Sequence, residues 1–157
     1  MSDVAWEIEY SVEATASLAF AWTYMTNAAN WDDPPAEFKL YGPLAEGSRG
    51  TTQMPGQEPW HWQLRDVNPM ERYTVEFPLD RATLSCTWKF DSLPAGRTRL
   101  TQRLVLKGEN AAAYVAQVQP AFTSSLAPGM TRIAAAIGRA GAMANNALPQ
   151  GRANELD

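Results

Sequence analysis

From Trp60 to Leu106 apolar residues recur at every second position through a series of short stretches. Trp60, Trp62 and Leu64 share one parity, followed by Tyr73, Val75, Phe77 and Leu79, then Leu84, Cys86, Trp88 and Phe90, and finally Leu100, Gln102, Leu104 and Leu106. The intervening positions are mostly polar, with His61, Gln63 and Arg65, then Arg72, Thr74 and Glu76, then Thr83, Ser85, Thr87 and Lys89, then Arg99, Thr101 and Arg103. Side chains alternate across a strand, so each stretch reads as a strand with one apolar and one wet face. Val4, Trp6, Ile8, Tyr10 and Val12 alternate in the same way with Glu7, Glu9, Ser11 and Glu13. Two weaker strands are predicted from Phe38 to Tyr41, stopped by Gly42-Pro43, and from Ser48 to Met54, stopped by Pro55-Gly56. Turns are expected at Asn68-Pro69, near Asp80-Arg81 and at Leu93-Pro94-Ala95-Gly96.

Between the first two strands the period changes. Thr15 or Ser17 is placed to cap a short helix through about Thr26, with Leu18, Ala21, Trp22 and Met25 as its apolar stripe. Asn27 to Trp31 extends it by a turn, and Asp33-Pro34-Pro35 ends helical structure. From Asn110 the spacing is helical again. Tyr114, Val115, Val118, Phe122, Leu126, Met130, Ile133 and Ile137 define one face of a long amphipathic helix. Pro120 and Pro128-Gly129 are expected to kink or break it, since an interior proline costs roughly 3 kcal/mol. The sequence predicts a single domain over residues 1–140 and, over 141–157, the helix end and a flexible tail rich in Ala, Asn and Gly.

The composition fits this reading and narrows it. A chain of 157 residues, 45% hydrophobic and 19% charged, suits one domain with a sizeable core. A net charge of −4 argues against binding to nucleic acid, which requires a basic surface. No apolar run approaches the ~20 residues that span a bilayer, so no membrane insertion is expected. Met1 to Glu9 holds three acidic groups and no apolar core of a secretory signal. With a single cysteine there is no internal disulfide, and a cytoplasmic location is expected.

The order of elements, taken with several local stretches, resembles the Bet v 1-like, START-related (SRPBCC) superfamily and in particular its polyketide cyclase/dehydratase-like branch. The likeness is carried by Thr26-Asn27-Ala28-Ala29-Asn30-Trp31, by Trp60-His61-Trp62-Gln63-Leu64 before Asn68-Pro69, by Trp88-Lys89-Phe90 leading into Gly96-Arg97-Thr98-Arg99-Leu100-Thr101-Gln102, and by the Gly129-Met130 helix. It covers roughly Val4 to Ala140. The resemblance implies an α+β helix-grip fold: a seven-stranded antiparallel sheet wrapped around a long C-terminal helix, with two short helices after the first strand. It also implies a cavity for a small, largely apolar ligand. Carriers, receptors, cyclases and chaperone activators share such a fold, so the site must choose among them.

Several residues invite a chemical role and are better explained otherwise. His61 has the wet parity of its strand and lacks metal-ligand spacing to any partner. Cys86 has the apolar parity and no histidine to activate it, so it reads as a small buried hydrophobe. Asp32-Asp33 before a double proline reads as a turn rather than a cation site. Because the resemblance makes the first and last strands neighbours, Arg97, Arg99, Arg103 and Lys107 are expected to face Glu7, Glu9 and Glu13 as charge pairs. No metal and no cofactor are expected.

The inner face carries one amide, Gln102, between Leu100 and Leu104. A buried amide without a partner costs about 1–3 kcal/mol. Tyr10, Tyr73, Thr98 and Asp66 share its parity and would complete a core network; alternatively, Gln102 orients a ligand. The expected ligand site comprises Tyr10, Trp62, Tyr73, Phe77, Trp88, Gln102, Leu104, Phe122, Leu126 and Met130. No inward strand position holds His, Lys, Arg or Glu, so no acid–base pair stands out. The sequence thus favours a carrier or sensor of a small apolar or aromatic molecule. A cyclase using Tyr10, Tyr73 or Gln102 and a chaperone-activator-like interaction module are the alternatives.

Overall fold

The computed structural model describes residues 3–31 and 36–156, with side chains through 144. The expected Asp32-Asp33 turn and the Pro34-Pro35 break lie outside the described residues. The first strand, β1 (Val4–Ala14), leads into helix α1 (Leu18–Met25) and a single 3-10 turn (Ala28–Asn30). Strands β2 (Glu37–Tyr41), β3 (Arg49–Gln53), β4 (Trp60–Asn68), β5 (Arg72–Leu79), β6 (Ala82–Leu93) and β7 (Arg97–Lys107) follow. A 3-10 turn (Ala111–Tyr114) then opens α2 (Val115–Thr123), and α3 (Leu126–Leu156) runs on through the region where the sequence places the helix end and tail.

All seven strands form one antiparallel sheet in the order β1-β7-β6-β5-β4-β3-β2. Each step from β2 to β7 joins chain neighbours through a turn, and only β1 is brought in from a distance, to pair with β7. The alternation fixes the register. Trp62, Trp88 and Leu104 are buried and Phe77 half-buried, whereas Lys89 and Arg103 are exposed and Gln63 and Glu76 half-buried. A slip of one residue would exchange these sets. Across the outer face, Glu7 pairs with Arg103 at 3.2 Å and Glu13 with Arg97. Both pairs are diagonal, since the register sets Arg103 opposite Glu9 and Arg99 opposite Glu13. Exposed pairs of this kind contribute about 0–1 kcal/mol each.

Parity fails at Asp66. A register shift between Arg65 and Asn68 marks a bulge there, and Asp66 takes a positive φ of 51°. The bulge turns its carboxylate outward onto Arg72 Nε at 2.7 Å, and that hydrogen bond holds the Asp66 carboxyl below its usual range. Asp66 is therefore no part of the inner face.

Ser17 caps α1, its Oγ accepting from the Phe20 amide at 3.2 Å. The C-terminal helix breaks between the two expected prolines, at Ser124-Ser125. Pro120 stays inside α2, where buried Val118 holds the turn against the sheet. Pro128 is the third residue of α3, where a backbone amide has no intrahelical partner to lose. Thr123 and Ser125 return their hydroxyls to the carbonyls of Gln119 and Ala121, which helps end the first helix. The core lies between the inner face of the sheet and these helices, with Leu64, Leu84, Leu100, Leu104, Leu106, Met130 and Ile137 fully buried.

Candidate functional site

One end of the inner face is closed by aromatic packing. Trp22 of α1 meets Phe90 edge-on at 5.1 Å and Tyr73 at 6.0 Å. Trp31, just after the 3-10 turn, lies 5.8 Å from Trp62 and 6.0 Å from Phe38. Three polar tips are satisfied there as well. The Tyr73 hydroxyl donates to the Met25 carbonyl at 3.4 Å, Trp31 Nε1 donates to the same carbonyl at 2.6 Å, and Trp62 Nε1 donates to Thr52 Oγ1 at 2.9 Å. Gly50 on β3 lies directly under the Trp62 ring, and a Cβ there would overlap it. Trp62 and Tyr73 are 3% and 2% exposed. At this end the residues expected to wall a ligand site pack instead against Trp22 and Trp31, which sequence parity on the strands does not reveal.

The neighbouring part of the inner face is less completely covered. Gln102 on β7 is half-buried, opposite Tyr10 of β1 on one side and Trp88 of β6 on the other. Its Nε2 donates to Cys86 Sγ at 2.8 Å. Its Oε1 accepts no hydrogen bond from the described residues. None of the expected partners reaches it: Thr98 donates to the Ala16 carbonyl, Tyr73 is committed to Met25, Asp66 faces out, and Tyr10 makes no hydrogen bond to the amide. On the same face, Ile8 and Val12 of β1 and Val75 of β5 remain half-buried, as do Phe77, further along β5 beside the start of β4, and Phe122 of α2. Phe77 leans edge-on against the exposed ring of Trp60 at 5.8 Å.

Of the ten expected site residues, Gln102, Phe77 and Phe122 are half-buried. Trp88, 8% exposed, stands at the border between the two regions, and Leu104, Leu126 and Met130 are buried in the core. Tyr10 sits on the edge strand and is 40% exposed. It borders an open groove of about 710 Å³ between β1 and α3, where Val12, Thr131, Ala134, Gly138 and Arg139 are its other principal walls.

Cys86, diagonal to Gln102, and Tyr73, one strand further beyond Trp88, are titratable groups whose values burial shifts on the inner face. Burial pushes the Cys86 thiol up to about 11, although the hydrogen bond from Gln102 acts the other way. Burial also pushes the Tyr73 phenol well above its ordinary value, with a further contribution from Cys86. Both groups are protonated at neutral pH, so neither serves there as a ready base. Among the described residues no group of three or more His, Cys, Asp and Glu side chains is placed to hold a metal ion. Nor is any helix long and apolar enough to cross a membrane.

A seven-stranded antiparallel sheet closed by a long C-terminal helix, with a polar group set in a mostly apolar inner face, defines the Bet v 1-like helix-grip class. Residues 5–138 match the family described as polyketide cyclase / dehydrase and lipid transport, and the chain belongs to that family. No curated protein sequence matches it. Among solved structures it is similar to norcoclaurine synthase from Thalictrum flavum, with a TM-score of 0.64 at 16% identity over 84% of this chain and 86% of that one. It is also similar to the Zhui aromatase/cyclase from Streptomyces sp. R1128, with a TM-score of 0.61 at 16% identity over 86% and 93% of the two chains. A protein from Thermobifida fusca gives a TM-score of 0.66 at 16% identity, over 85% and 93%. Identities this low establish the shared fold. Family and fold together support ligand binding or cyclase-type chemistry without selecting between them.

Proposed function

We propose that this protein binds a small, largely apolar ligand, aromatic or lipid-like, against the inner face of its sheet, and acts as a cytoplasmic carrier or sensor. One observation carries the reading. Gln102 is the one amide at the inward positions of β4 to β7, among mostly apolar neighbours, and its Oε1 accepts no hydrogen bond from the described residues. An apolar site with one placed polar group is the usual form of a small-molecule site. Trp88, the cross-strand neighbour of Gln102, and Val75, opposite Cys86, supply apolar contacts, and Gln102 fixes orientation. The test is native mass spectrometry of the purified protein, followed by extraction of any bound compound. An apolar compound retained by the wild type and reduced in Gln102→Leu supports the reading. A wild type that carries no compound and binds no aromatic or lipid-like probe overturns it.

A cyclase is the second reading. It is favoured by the cross-strand pairing of Tyr10 with Gln102, which sets a phenol and an amide side by side on neighbouring strands. In that case the pair would orient an enolising carbonyl of a polyketide-like substrate. Conversion of a substrate that is lost in Tyr10→Phe, with binding retained, would select this reading over a carrier.

A further inference from the structure

None of Gln102, Cys86 and Trp88 lines the groove between β1 and α3. Its volume of about 710 Å³ falls within the range of roughly 300–1,000 Å³ usual for small-molecule sites. The β1 wall runs from Tyr10 to Thr15 and the α3 wall from Thr131 to Ala142. A strand rises about 3.3 Å per residue and a helix about 1.5 Å, so each wall is about 16 Å long. The walls come close at Gly138, where a Cβ would lie 3.9 Å from both the backbone N and the Cβ of Thr15. Arg139, the next residue, therefore stands at the Thr15 end of a long groove, with Tyr10 toward the other end.

Most polar groups on these walls are already committed. Glu13 is paired with Arg97, Ser11 shares a hydrogen bond with Thr101 at 2.8 Å, and Thr131 donates to the Ala127 carbonyl at 2.9 Å. Arg139 is different: it is exposed, and among the described residues its side chain has no ion pair or hydrogen bond. Its own helix offers no partner, since no Asp or Glu occurs between Glu109 and Glu155. The 40% exposed ring of Tyr10 likewise has no hydrogen bond among the described residues. The groove thus holds one uncompensated and permanently charged guanidinium at the end of a long, mostly apolar wall. A guanidinium fork matches a carboxylate in charge and in shape.

We propose that this groove is a second binding site, distinct from the inner face, for an elongated apolar carboxylate. Arg139 receives the carboxylate, and the apolar chain runs past Ala135, Ala134 and Val12 to the ring of Tyr10. The length of the walls suits an extended chain rather than a compact ring, and the single free cation suits a monoanion. The site stands or falls without Gln102.

The test titrates dodecanoate and the uncharged dodecanol, each below its aggregation limit, calorimetrically into the full chain. The wild type should bind dodecanoate about fivefold more tightly, the upper scale of an exposed ion pair. Arg139→Gln should remove that preference and leave dodecanol affinity within about twofold. Ala135→Leu keeps a strong helix former at an exposed position and fills the groove, so it should weaken both probes by about fivefold or more. Gln102→Leu should leave both affinities unchanged. Dodecanoate affinity unaltered in Arg139→Gln and Ala135→Leu but reduced in Gln102→Leu would overturn the groove site and favour the inner face. No binding of dodecanoate by the wild type would overturn the groove site, whatever the inner face binds. A wild-type dimer in sedimentation that becomes monomeric in Ala135→Leu would assign the groove to a second copy of the chain and overturn the proposal.

Discussion

Two sets of inward positions are built on the same kind of strand and are covered differently. Under α1, the aromatic residues Tyr73, Trp62 and Phe90 are matched by Trp22 and Trp31 and sealed. Ile8 and Val12 of β1, Val75 and Phe77 of β5 and Gln102 of β7 keep part of their surface accessible. The difference lies less in the strands than in what covers them. The short segment between β1 and β2 contributes two tryptophans, whereas the groove side of α3 carries Ala134, Ala135 and Gly138. Where large side chains are returned to an aromatic face it becomes a core, and along β1 the small residues of α3 leave a groove at the sheet edge.

The largest expected effect therefore falls in the sealed region. Trp62→Ala should destabilise the protein by about 3–5 kcal/mol, the usual range for removing a large aromatic from a packed core. Phe77→Ala, in the open region and already half-exposed, should cost appreciably less, about 1–2 kcal/mol from its smaller buried area. Urea unfolding of the two variants measures the contrast directly. Equal losses would mean that the two ends are packed alike. Gly50→Ala sharpens the same point from the opposite strand. The added methyl meets the Trp62 ring, and overpacking of this kind typically costs about 1–3 kcal/mol.

Much of this architecture was legible in the chain. Period-two alternation located the strands, and the parity of Trp62, Trp88 and Leu104 identified the buried face because a half-buried strand has only two choices. The resemblance, carried by the element order, supplied the pairing of β1 with β7, which no local pattern encodes. The site was less legible, for identifiable reasons. Asp66 had the right parity, but one inserted residue in β4 turned it outward. Tyr73 and Trp62 looked like cavity walls because nothing in strand periodicity shows that Trp22 and Trp31 fold over them. The partner of Gln102 was also missed. Parity points to hydroxyls and a carboxylate as partners, yet the amide meets Cys86, two residues along the neighbouring strand from its direct partner Trp88. That diagonal is predictable once the β6–β7 register is known.

The boundary between the two regions is open to a pH test. The Cys86 thiol is raised from its ordinary value near 9 to about 11, chiefly by burial. Below pH 9 it is protonated in both folded and unfolded chains and contributes no pH dependence. Between about pH 9 and 11 the unfolded chain releases the proton and the folded chain keeps it, so the folded state loses stability as pH rises. The slope from this group approaches at most about 1.4 kcal/mol per pH unit. Tyr73, also raised, adds in the same direction at higher pH. Stability curves of wild type and Cys86→Val measured across this window should diverge, with the variant falling less steeply. Parallel curves would show that the thiol is more open to water than its packing indicates.

The smallest expected change in stability is that of Gln102→Leu, and it bears most directly on the open region. Leucine is close to glutamine in volume, so it leaves no large void on β7. Among the described residues the side-chain hydrogen bond it removes is the one to Cys86, whose thiol is a weak hydrogen-bonding group that tolerates apolar surroundings. Replacing a half-buried amide with an apolar side chain also removes its desolvation penalty. Unfolding free energy should therefore stay within about 1 kcal/mol of wild type. Affinity for an apolar ligand that hydrogen-bonds the amide should fall about fivefold or more, as expected for one lost hydrogen bond. A large loss of stability with affinity preserved would make Gln102 a structural member of the sealed core and extend that core across the whole inner face. Preserved stability with reduced affinity would keep the two ends distinct, one built for packing and the other for a ligand.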